Sequence, residues 1–254
     1  MSDYQMAVAG RLLPLLDLTS LNDGFDDDIA GLCSKAVTPV GKVAAVCVWP
    51  QFVTDCRRRL SGSGIRVATV VNFPHGGDDS ELAVAEARAV VADGADEVDL
   101  VMPYEAWLAG EREHANGLVA AVKQAIGANI TLKVILETGA LGSAENAAAI
   151  SRDAIGAGAD FLKTSTGKRQ PGATLEAAEV LLSAIRDLGA NVGFKAAGGV
   201  RTTVEAAEYL ELADQMMGRD WAGPERFRIG ASSLLDDLLA TLHEAEFDDL
   251  ESDY

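Results

Sequence analysis

GADEVDLV (94–101), GANITLKV (127–134), GADFLKTS (158–165) and GANVGFK (189–195) are four versions of one junction. Each starts with Gly-Ala, passes a small polar residue and enters an apolar run of strand character. A glycine just past a helix end supplies the left-handed backbone that stops it, so each segment reads as a helix end feeding a strand. Counted from the glycine, Asp99 and Lys163 share one offset, and Lys133 and Lys195 share another. The Gly-Ala start is what any repeated helix–strand unit requires. Four charges at matched depths in successive apolar strands are not, because a desolvated ion costs several kcal/mol unless it is paired.

Working outward, eight short apolar runs span the chain: LLPLLDL (12–18), VAAVCVWP (43–50), RVATVVNFP (66–74), EVDLVMP (97–103), TLKVILE (131–137), DFLKTST (160–166), VGFKAAG (192–198) and RFRIGAS (226–232). Ala-rich stretches with helical periodicity separate them, among them 81–94, 145–158 and 175–189. Asp78 before Glu81 and Thr202 before Glu205 have capping-box spacing, and Gly94, Gly158 and Gly189 stand at helix ends. Alternation of strand and helix predicts a parallel sheet, and eight units predict a single (β/α)8 TIM barrel. No linker or low-complexity segment interrupts the pattern, so residues 1–254 read as one domain with a short acidic C-terminal tail from about residue 246.

The 254 residues carry 21 Lys and Arg against 39 Asp and Glu, a net charge of −18. Such a field disfavours nucleic acid and anionic membranes as partners. It reads as a solvated acidic surface, with adaptation to high salt as the alternative. No run reaches the ~18 apolar residues of a membrane span, and no signal peptide is expected. Cys33, Cys47 and Cys56 lack metal-ligand spacing and fit a reducing compartment, so a cytoplasmic location is expected. His75, His114 and His243 stand apart, so no metal centre is expected. An anionic substrate would need a local cationic pocket.

Asp99, Lys133, Lys163 and Lys195 fall in strands four to seven, with Asp17 at the end of strand one. They either snorkel outward between helices or cluster inward at the mouth of the barrel, and helices covering the outside favour the inward arrangement. A desolvated lysine beside a second cation becomes a neutral amine, a nucleophile towards carbonyls, so imine-forming catalysis without a cofactor is expected. TSTGK (164–168), AGGVR (197–201) and GASS (230–233) follow strands six, seven and eight. Glycine backbones, serine hydroxyls and a helix start suit a phosphate there.

With these residues in place, the chain resembles the 2-deoxyribose-5-phosphate aldolases. DFLKTSTGK (160–168), VGFKAAGGVR (192–201), EVDLVMP (97–103) and LKVILETG (132–139) carry the resemblance. LDLTSLND (16–23), VNFPHG (71–76) and FRIGASSLL (227–235) extend it from about Leu12 to Leu235. The resemblance implies that Lys163 forms the Schiff base, that Lys195 perturbs it and takes part in proton transfer, and that Asp99 is the acid/base carboxylate. It further implies that Lys133 and Asp17 complete the network, and that Gly167, Lys168, Gly198, Gly199, Ser232 and Ser233 hold phosphate. Ala196 stands where many members carry proline. The implied reaction is reversible cleavage of 2-deoxy-D-ribose 5-phosphate to D-glyceraldehyde 3-phosphate and acetaldehyde, with no metal or cofactor and with a homodimer as the expected assembly.

Other residues read more plainly. Cys47, near the end of strand two, is a buried inert thiol or a reactive one at the mouth. His75 reads as a turn residue, and Trp49 and Phe73 as packing. Tyr254 either folds over the site or frays. Two alternatives stay open: a transaldolase-like imine-forming enzyme, and a sugar-phosphate-binding barrel without catalysis.

Overall fold

The computed structural model describes residues 3–23 and 27–251, with side chains as far as Leu242. Its centre is a closed barrel of parallel strands: β1 (Leu16–Ser20), β2 (Ala45–Val48), β3 (Arg66–Val71), β4 (Glu97–Val101), β5 (Thr131–Ile135), β6 (Phe161–Lys163), β7 (Gly193–Ala197) and β8 (Phe227–Ala231). Each strand pairs with its neighbour in sequence, and β8 closes on β1 with Leu16 opposite Ile229. All eight expected runs supply a strand, and the (β/α)8 expectation holds. The first strand lies later than expected: Pro14 opens a 3-10 turn over Leu13–Leu15, the strand runs over Leu16–Ser20, and Asp17 is therefore its second residue and not at its end. A two-stranded antiparallel hairpin, Val37–Thr38 with Gly41–Lys42, was not foreseen.

Among the described residues ten α-helices surround the strands: α1 (Asp3–Leu12), α2 (Ile29–Lys35), α3 (Val53–Arg59), α4 (Ser80–Ala92), α5 (Tyr104–Leu108), α6 (Arg112–Ile126), α7 (Ala144–Gly156), α8 (Leu175–Asp187), α9 (Thr203–Met217) and α10 (Leu234–Glu251). The expected capping box forms at Thr202 and Glu205. Asp78 does not cap α4. Asp79 does, accepting from the amide of Leu82, which moves the helix start by one residue. The expected acidic tail from about residue 246 continues α10 to Glu251, and Tyr254 lies outside the described residues. Among the described residues no helix is long and apolar enough to cross a membrane.

Side chains alternate across each strand, so one set meets the helices and the other fills the barrel. Val46, Val67, Leu100, Val134, Leu162, Phe194 and Ile229 pack outward against the apolar faces of the helices in the main core. The interior is divided. Ala45, Cys47, Ala68 and Val70 from β2 and β3 form a small apolar cluster, with Leu21, Trp49 and Phe73 beside it. Facing it are the charges of the other strands, and the division places the site.

Candidate active site

Strand register sets the charges against one another. Asp99 lies opposite Lys133, Lys163 opposite Lys195, and Lys195 opposite Arg228. All are buried inside the barrel, so the outward arrangement is not the one adopted. Asp99 is the hub: its Oδ1 accepts from Lys133 Nζ at 2.8 Å, and its Oδ2 from Lys163 at 2.8 Å and Lys195 at 2.9 Å. Asp17 Oδ2 accepts from Lys195 at 2.5 Å, and Asp17 Oδ1 from Arg228 at 2.5 Å. Glu97 joins Lys133 at 2.5 Å and Arg228 Nη2 at 2.8 Å. The sequence reading missed Glu97 and Arg228, although both are charges within apolar strands, the signal that marked the other five.

The cluster sorts its protons by position. Burial pushes Lys163 below the ordinary lysine range; attraction to Asp99 does not restore it, and Lys195 repels its proton further. Burial acts on Lys195 too, but Asp17 and Asp99 overcome it and hold that ammonium above the ordinary range. Lys133 is held up in the same way by Asp99, Glu97 and Asp17. Burial alone would raise Asp99 and Asp17. For Asp99 the three lysines reverse the sign, and for Asp17 Lys195, Arg228 and Lys133 do, so both stay ionised. Of the three buried lysines, Lys163 is the one whose proton is held less tightly than usual.

Lys163 is also the one that can be reached. Asp17, Asp99, Lys133 and Lys195 have 0% of their surface exposed, whereas Lys163, the last residue of β6, retains 3% and lines a cavity of about 580 Å³. Gly167, Lys168, Gly198, Gly199, Ser232 and Ser233 line the same cavity, so the structure brings Lys163 and all six expected phosphate residues to one space. Lys35 and Arg201, neither singled out in the sequence, add cations to its wall. Ser233 immediately precedes α10, whose N-terminus favours an anion. Lys168 is not free: its ammonium donates to the carbonyl of Leu21 at 2.6 Å and pairs with Asp23.

Two of the closely packed glycines bear on the site. Gly198 has φ +91°, and a β-carbon there would stand 3.1 Å from Gly167 Cα and 3.2 Å from Gly172 Cα, so the loops after β6 and β7 pack backbone on backbone. A β-carbon on Gly230 would come within 2.8 Å of Lys195 Cε, so the lysine chain lies across that gap. The β6 loop is further fixed by Glu137, a buried carboxylate that accepts from Thr166 Oγ1 at 2.6 Å, while the same hydroxyl accepts from the Lys168 amide at 3.0 Å. Nothing in the sequence reading marked Glu137.

Cys47 is fully buried in the apolar half of the interior, and burial pushes its thiol up, against thiolate formation. His75 is exposed. Trp49 and Phe73 meet edge to face at 5.5 Å, a packing pair.

A (β/α)8 barrel with buried lysines and carboxylates under a glycine- and serine-lined rim has the architecture of an aldolase. The chain belongs to the DeoC/LacD family of aldolases: residues 12–240 match the DeoC/LacD family aldolase profile. Among solved structures it is similar to a candidate deoxyribose-phosphate aldolase from Coccidioides immitis, with 30% identity, 92% of this chain and 86% of that chain covered, and a TM-score of 0.80. A candidate deoxyribose-phosphate aldolase from Toxoplasma gondii ME49 matches at 26% identity over 96% of this chain and 98% of that chain, with a TM-score of 0.86. The tetrameric deoxyribose phosphate aldolase of Aeropyrum pernix matches at 24% identity over 96% of this chain and all of its own, with a TM-score of 0.73, a likeness of fold.

Proposed function

We propose that this aldolase reversibly cleaves 2-deoxy-D-ribose 5-phosphate to D-glyceraldehyde 3-phosphate and acetaldehyde through an imine on Lys163. The carrying observation is that Lys163 combines a lowered proton affinity with access to a cavity rimmed by phosphate-ready loops. The neutral amine attacks the C1 aldehyde of the open-chain sugar, and loss of water leaves a protonated imine. The Asp99 carboxylate, through a water, takes the C3 hydroxyl proton, the C2–C3 bond breaks, and its electron pair moves to the imine nitrogen as an enamine. Glyceraldehyde 3-phosphate leaves, a proton adds to C2, and water releases acetaldehyde and the amine.

The roles follow from the held charges. Lys195 stays an ammonium at neutral pH, so it is a proton donor, passing its proton through Asp99 or a water rather than accepting one first. Asp99 stays ionised and accepts hydrogen bonds from the nitrogen and hydroxyl of the reacting carbon. Lys133 and Asp17 hold Asp99 and Lys195 in place. Gly167, Gly198, Gly199, Ser232 and Ser233 hold the phosphate, with Lys168 as a cation bridging the β1 and β6 loops. The apolar wall of Cys47, Ala68 and Val70 faces the lysines and suits the methyl end of a two-carbon donor.

The whole chain acting as one catalytic domain, a cytoplasmic location and assembly as a homodimer complete the proposal. The absence of a cofactor follows from the imine serving as electron sink. A coupled assay tests it: deoxyribose phosphate should yield glyceraldehyde 3-phosphate, and in reverse acetaldehyde should serve as donor. Use of a dihydroxyacetone unit in place of acetaldehyde would instead support the transaldolase-like chemistry.

A further inference from the structure

Seven ionisable side chains meet inside the barrel among the described residues: Lys133, Lys163, Lys195 and Arg228 against Asp17, Glu97 and Asp99. Fully ionised, they carry one positive charge more than they neutralise. Buried charge without a partner is costly, so the cluster is driven to release one proton. Contact decides which group gives it up. Lys133 reaches all three carboxylates, Lys195 reaches two, and Arg228 grips two with separate nitrogens. Lys163 reaches only Asp99, at the oxygen that Lys195 also holds.

We propose that Glu97 and Arg228 are positioning residues: they fix the net charge of the buried cluster at one positive above neutrality, and Lys163 gives up that surplus. Neither touches Lys163. Glu97 lies two residues before Asp99 on the same inner face of β4, beneath the lysines. Arg228 lies opposite Lys195 on β8, with its guanidinium 5.8 Å from the ring of Phe161, which precedes Lys163 by two residues on the inner face of β6. The groups facing Lys163 directly are Asp99 on β4, Lys195 on β7 and Cys47 on β2. Glu97 and Arg228 act through Lys133, Asp17 and the field of the cluster. The inference rests on the reading of Lys163 as the reactive amine, and its test is independent of aldolase turnover.

Formaldehyde with cyanoborohydride methylates neutral amines, so the pH midpoint of Lys163 methylation, followed by peptide mass, reports its titration directly. Glu97→Gln keeps the shape and removes a negative charge, so the midpoint should fall by about one unit, the order expected of a unit charge across a low-dielectric core. Arg228→Met removes a positive charge, so the midpoint should rise by a similar amount. The double variant restores the surplus of one, and its midpoint should return to that of the wild type. A merely structural role gives no opposed shifts that cancel. Glu97→Gln with an unchanged or raised midpoint overturns the proposal. If Arg228→Met alone fails to fold, Glu97→Gln and the double variant decide it: a fall followed by a return supports the proposal, and any other pair of results refutes it. Shifts as stated, with acetaldehyde trapped elsewhere than on Lys163, would leave this inference standing and remove the proposed mechanism.

Discussion

Replacing Lys195 by leucine separates tuning from scaffolding. Lys163 and Lys195 share Asp99 Oδ2 at 2.8 and 2.9 Å. Hydrogen-bond geometry therefore puts the two ammonium nitrogens roughly 4–5 Å apart. At an effective dielectric of about 20, one unit charge at that distance is worth about 3–4 kcal/mol, or two to three pKa units before relaxation. Rearrangement of Asp17 and Asp99 takes back part of this, leaving an expected rise of about one to two units in the Lys163 midpoint. The sign is set by the direction of the effect: Lys195 disfavours the protonated form of Lys163, so its removal raises proton affinity and depletes free amine at neutral pH. The barrel should remain folded, because Asp17 keeps Arg228 and Lys133, and Asp99 keeps Lys133 and Lys163. Two losses then combine in kcat. The depleted amine recovers with alkali, whereas the missing proton donor, typically worth ~10²–10⁴-fold, does not. The assay is the pH profile of acetaldehyde imine trapping in both proteins, after circular dichroism shows the variant folded. A folded variant with an unshifted profile would refute the tuning role.

Further outcomes follow from the same geometry. Ser232→Glu or Ser233→Glu places a carboxylate at the start of α10, and kcat/KM for the phosphorylated sugar should fall far more than for unphosphorylated deoxyribose; equal losses would place the phosphate elsewhere. Gly230→Ala drives a methyl group into the Lys195 chain, so kcat should fall at least tenfold while thermal unfolding shows a destabilisation of about 1–3 kcal/mol; unchanged kcat would mean that the Lys195 position is not critical. Exhaustive chelation should leave turnover intact because the imine nitrogen receives the electron pair, and activity lost to a chelator and restored by a divalent metal would contradict that route.

Much of this architecture was legible because parallel strands buried on both faces read as apolar runs, and glycine marks the helix ends between them. Asp99, Lys133, Lys163 and Lys195 stood out because they recur at matched depths from the helix-ending glycines, and Asp17 because it interrupts the apolar run LLPLLDL (12–18). Glu97 and Arg228 escaped notice because they sit at or beside strand starts, where a charge reads as a solvated boundary; only barrel closure shows them buried and paired. Glu137 escaped because its role depends on Thr166, a contact between consecutive loops that no spacing within either one encodes. The hairpin at 37–42 has two residues per strand, too few for alternation to register. The cap of α4 was ambiguous in GGDDSE (76–81), where two adjacent aspartates both suit the position and only the backbone distinguishes Asp79.

The most direct test of the central claim is reductive trapping. Borohydride added with acetaldehyde should attach one ethyl group per chain, and peptide mass mapping should find it on the peptide carrying Lys163. Label concentrated instead on Lys195, Lys168 or surface lysines would contradict the account.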